Sequence, residues 1–106
     1  MNLTSYVQDR QLTVVLRGEI DHHSARELMQ IISEKIDLYM PLRMILDFKE
    51  VRFMDSSGIA VVLHTLRRIN TLQGRLILQN IPAQPYKVLR AAGIEKITEI
   101  KEECTP

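Results

Sequence analysis

The chain has no tryptophan, one cysteine, four glycines, four prolines and only 5% aromatic residues. A single cysteine, Cys104, can form neither an internal disulfide nor a cysteine-based metal site, and it reads as an incidental tail thiol. Scarce glycine and proline exclude collagen-like and low-complexity chains. No stretch approaches the about 20 apolar residues that span a membrane, and the opening Met1-Asn2-Leu3-Thr4 lacks the basic flank and apolar run of a signal peptide, so the expected location is the cytoplasm with no membrane association. Charge of one sign is also missing. Fourteen basic residues face thirteen acidic ones, a net charge of +1, without the basic excess of a nucleic-acid binder.

What is present is the composition of one globular domain: 106 residues, 45% hydrophobic and 25% charged. A chain of this length builds one small core, and no linker or internal repeat divides it, so residues 1–106 read as a single domain.

Strand and helix periods alternate along it. Leu3 to Val7, a tight turn at Asp9-Arg10, and the period-2 run Leu12, Val14, Leu16 ending at Gly18 predict a β-hairpin. After a loop through Glu19–Ser24, apolar residues Ala25, Leu28, Met29, Ile32, Ile36 and Tyr39 recur at helical spacing. They predict a helix over about 24–39, capped by Ser24 or a neighbour, with Glu27 completing a capping box on Ser24, and stopped by Pro41. Met44-Ile45-Leu46 and Phe48 predict a central parallel strand, Ile59 to Ile69 a second helix ended at Gln73-Gly74, Leu76-Ile77-Leu78 another strand, and Val88, Leu89 and Ala92 a third helix stopped at Gly93. A last short strand falls within 94–100. The order β-β-α-β-α-β-α-β implies an α/β fold with a mostly parallel sheet of four to five strands.

The most informative segment is Phe53-Met54-Asp55-Ser56-Ser57-Gly58, where a strand passes into an apolar helix. A helix start needs one capping residue, and three stand here, which leaves at least one hydroxyl free. A free serine at a helix N-terminus suits phosphate, because the helix dipole and unpaired N–H groups accommodate the added charge. A nucleophile is not supported. The residue two before either serine is Met54 or Asp55, not the glycine of a nucleophile elbow, and His64 lies two turns along the helix from Ser57. Adjacent His22-His23 diverge and lack further ligands, so no metal is expected, and these histidines read as loop residues suited to electrostatic or partner contact. Phosphate-binding glycine motifs are absent, so no nucleotide cofactor is expected. Arg67-Arg68, Lys87 and Arg90 read as solvated helix faces.

Two blocks, Phe53–Gly58 and Gly18-Glu19-Ile20-Asp21-His22-His23, resemble the STAS domain family, shared by sulfate transporters and anti-sigma factor antagonists, and the double histidine is similar to the stage II sporulation AA branch. The likeness spans about residues 3–100. It implies a STAS-like sheet with helices mainly on one side and a non-enzymatic regulator. The unphosphorylated form binds an anti-sigma factor that is also a serine kinase, releasing a sporulation sigma factor; phosphorylation of Ser56 ends the contact and a serine phosphatase resets it. The resemblance also implies partner contact at Asp21 and an acceptor loop shaped by Ser57 and Gly58, with His22, His23 and Asp55 beside them. A stress-pathway antagonist and a small nucleotide-binding STAS module remain alternatives. Family members commonly continue into a longer C-terminal helix, which Lys101–Pro106 leaves short or absent.

Overall fold

The computed structural model describes residues 3–101; the tail with Cys104 and the expected end of the chain lies outside them. Strands β1 (Leu3–Gln8) and β2 (Gln11–Ile20), helix α1 (His22–Tyr39), β3 (Arg43–Met54), α2 (Ser57–Thr71), β4 (Arg75–Gln79), α3 (Ala83–Ala91), a 3-10 turn at Ile94–Lys96 and β5 (Glu99–Lys101) follow in the expected order. They form one five-stranded sheet in sequence order. The β1–β2 pair is antiparallel and every later pairing is parallel.

The hairpin turn is tight because Asp9 and Arg10 both take positive φ, 53° and 65°, the twist that suits a two-residue connection. Alternate strand residues Leu12, Val14, Leu16, Met44, Leu46 and Leu78 join Leu28, Ile32, Val62, Ile69 and Leu89 of the helices in one core. The apolar run of β3 holds one polar exception. Asp47 is buried, and its carboxylate accepts from the Lys49 N–H, Gln79 and Asn80, which removes the cost of burying it unpaired. It sits where the β2–β3 register shifts.

Two strands run past the ends read from the sequence. Strand β2 does not stop at Gly18 but passes through it, at φ 83°, and ends at Ile20. Strand β3 runs on to Met54. Each extension gives the other its partner, Gly18 beside Val51 and Ile20 beside Met54. Among the described residues, no helix is long and apolar enough to cross a membrane.

Candidate functional site

The extended ends of β2 and β3 bring together two blocks more than thirty residues apart in sequence. The Asp55 N–H donates to the Ile20 carbonyl at 3.1 Å, so the turn into α2 lies against the turn into α1. Both helices begin here, and the positive ends of both dipoles meet the same surface.

The start of α1 departs from the expected capping box. Asp21, not Ser24, is the N-cap. Its carboxylate accepts from the Ser24 N–H at 2.9 Å and the His23 N–H at 3.0 Å, while the Ser24 hydroxyl accepts the Asp21 N–H at 3.0 Å. The same hydroxyl lies 3.0 Å from the Glu19 carbonyl, to which it donates. The Ser24 N–H, assisted by the Ser24 hydroxyl, the His23 N–H and the nearby His23 charge, holds the Asp21 carboxyl below its ordinary range against an opposing desolvation effect. His22 and His23 are therefore exposed residues of the first helical turn, not of a loop.

The start of α2 is built differently. Ser56 occupies the N-cap position with helical backbone angles, φ −63° and ψ −15°, and its hydroxyl makes no capping hydrogen bond. Asp55 does that work from one residue earlier: its carboxylate accepts the Ser57 N–H at 2.7 Å and its carbonyl the Gly58 N–H at 3.0 Å. The Ile59 N–H donates to the Ser56 carbonyl. Thus the N–H groups of residues 57–59 are already engaged, and an anion on Ser56 would rely on the dipoles more than on unpaired donors. Ser56 is exposed, whereas Asp55 and Ser57 are half-buried.

Beneath the turn lies Met54, fully buried. A Cβ at Gly58 would overlap Met54 Cγ and Sδ, so glycine is what lets the first turn of α2 settle onto the core. Met54 is also held through its backbone. Its N–H donates to Gln84 Oε1 and its carbonyl accepts from Gln84 Nε2, both at 2.8 Å. Leaving one such group without a partner costs about 1–3 kcal/mol. Gln84, at the start of α3, carries no periodicity signal and is not legible in the sequence as a site residue. Phe53, in the same sequence block, is 45% exposed with Glu19 opposite it on β2, a large apolar residue on this surface.

His64 does not reach this site. Its Nε2 lies 2.6 Å from the Ser33 hydroxyl across the α1–α2 contact, and burial, then Arg68 and Arg67, lowers its pKa. Among the described residues no three His, Cys, Asp or Glu side chains are placed to hold a metal ion.

The STAS domain family profile matches residues 2–104. The chain is 32% identical over 89 residues to the anti-sigma F factor antagonist of Paenibacillus polymyxa, covering 84% of this chain and 76% of that protein. It superposes on the anti-sigma factor antagonist SpoIIAA in its unphosphorylated form with a TM-score of 0.83 and 28% identity, over 95% of this chain and 87% of the other. On the phosphorylated form of the Bacillus cell fate determinant SpoIIAA the TM-score is 0.75 at the same identity, covering 95% and 90%. With both sequence blocks joined at one end of a five-stranded sheet, the chain belongs to the STAS domain family, among its anti-sigma factor antagonists.

Proposed function

We propose that the protein, acting as one STAS unit over residues 1–106, is an anti-sigma factor antagonist whose contact with an anti-sigma serine kinase is switched off by phosphorylation of Ser56. The observation that carries this reading is the uncommitted Ser56 hydroxyl, exposed at a helix start that Asp55 already caps. A kinase can take such a hydroxyl without first breaking a capping bond. The related protein solved in unphosphorylated and phosphorylated forms supports the same chemistry.

In the unphosphorylated state the partner meets a surface of Phe53, Ser56 and the first turn of α1 with Asp21, His22 and His23. Phe53 offers the apolar anchor that such contacts favour. A phosphate on Ser56 adds roughly −1.5 to −2 charges beside Asp21 and Asp55. The doubled charge must be desolvated for the partner to stay. A loss of about 3 kcal/mol weakens binding more than 100-fold, enough for a switch. The protein supplies the acceptor and not the catalytic machinery, it acts in the cytoplasm, and a serine phosphatase restores it. The kinase's other client, in this reading, is a sporulation sigma factor.

The test is a binding experiment with a sporulation-type anti-sigma factor serine kinase. A complex is expected without ATP, and its dissociation with one phosphate gained by intact mass after ATP is added. No complex in either condition contradicts the reading.

A further inference from the structure

We infer that Gln84 is a positioning residue for the phosphoacceptor turn, its side-chain amide standing in for a missing strand residue to fix Met54 and, through it, Ser56. The inference rests on the reading of Ser56 as the acceptor.

Strand β4 pairs with β3 only along residues 43–47. From Phe48 to Met54, β3 runs beyond its neighbour on that side while remaining paired with β2 on the other. At Met54 the N–H and carbonyl that face away from β2 are both taken by one primary amide, acceptor to donor and donor to acceptor, at 2.8 Å each. This is the pairing a strand residue would give, supplied by a side chain of α3. On the opposite side the next residue, Asp55, is tied to Ile20. Below, the Met54 side chain fills the space that Gly58 leaves open. The chain is therefore held on both flanks and from beneath one residue before the acceptor turn. Only a side chain that both donates and accepts from one planar group completes this arrangement. Preorganising a reacting group lowers the entropy cost of reaching the transition state, so the clamp acts on the rate of transfer to Ser56 rather than on partner affinity.

Two variants test this. In Gln84→Ala, amide exchange at Met54 is expected to speed at least tenfold, with protection at Leu46 in the sheet centre unchanged. The rate constant kcat for phosphorylation by the anti-sigma kinase should fall about tenfold, with KM little changed. Gln84→Glu at pH 7 has no proton for the Met54 carbonyl and sets a carboxylate against it, so kcat should fall as in the alanine variant, while the Met54 N–H, which keeps an acceptor, should lose less protection than in Gln84→Ala. At about pH 3.5, below the ordinary glutamate value of about 4.3, the protonated acid regains the donor as well, and Met54 protection should rise to that of the native protein. Unchanged Met54 protection in Gln84→Ala overturns the clamp. Lost protection with an unchanged kcat overturns its role in transfer. A native protein that takes no phosphate on Ser56 refutes the acceptor reading and this role with it, leaving the exchange result to judge the clamp itself.

Discussion

Two helices start side by side at one end of the sheet, and they treat their capping groups in opposite ways. Helix α1 commits everything: the Asp21 carboxylate and Ser24 hydroxyl bond each other's backbone, and Ser24 also reaches Glu19. Helix α2 assigns capping to Asp55 and leaves the Ser56 hydroxyl without a capping bond. The first arrangement ties Asp21 and Ser24 into the helix start, so its loss should be felt as stability in the free protein, whatever Asp21 also contributes to partner contact. The second leaves an exposed hydroxyl without a capping bond, and if Ser56 is the acceptor proposed above its loss should be felt as function. Substitutions at the two starts should therefore separate these readouts.

The largest effect expected is on switching. Ser56→Ala should keep the partner complex intact in ATP, with a dissociation constant at least about 100-fold below that of the phosphorylated native protein, measured by surface binding. Its unfolding free energy should change by less than about 0.5 kcal/mol, as for exposed positions generally. Next comes Gly58→Ala, which forces Met54 out of its place beneath the turn. Overpacking of this kind costs about 1–3 kcal/mol, read as a shift in the urea midpoint.

At α1, Asp21→Ala should lower the thermal midpoint at neutral pH, and Asp21→Asn, which still caps, should not. The two differ again in acid. The folded-state pKa of Asp21 lies below its unfolded value, so its contribution is complete above the unfolded value and is lost as pH falls through the folded one. Asp21→Asn should flatten that part of the stability–pH curve. The smallest effect expected is at His64, away from both starts. Its lowered pKa means the unfolded chain binds the proton first. Stability is present above the ordinary histidine value of about 6.5 and declines as pH falls from there through the folded-state value. A histidine NMR titration should give a midpoint below that of a free imidazole, and Arg68→Ala should raise it.

The element order was legible because it rests on local signals: the period-2 run at Leu12–Leu16, the helical spacing from Ala25 to Ile36, the breaks at Pro41 and Gly93. What was not legible depends on partners distant in sequence. Gly18 looks like a strand end until residues 51–54 lie beside it. Ser24 with Glu27 fits a capping box as well as Asp21 with Ser24 does, and only the path of the chain leaving β2 selects between them. Asp47 is a polar break in an apolar run, and its burial is not legible there because its partners Gln79 and Asn80 lie at and just past the end of β4. The Phe53–Gly58 block stood out because three polar residues crowd one helix start. Gln84, which holds that block from thirty residues away, leaves no mark in the local pattern.

The most direct measurement is to locate the phosphate. After incubation with the anti-sigma kinase and ATP, fragment masses of the native chain, Ser56→Ala and Ser57→Ala would be compared. The account predicts a single phosphate on Ser56 in the native chain, none in Ser56→Ala, and near-native modification of Ser57→Ala. Phosphate on Ser57 in the native chain, or undiminished phosphorylation of Ser56→Ala, would contradict it.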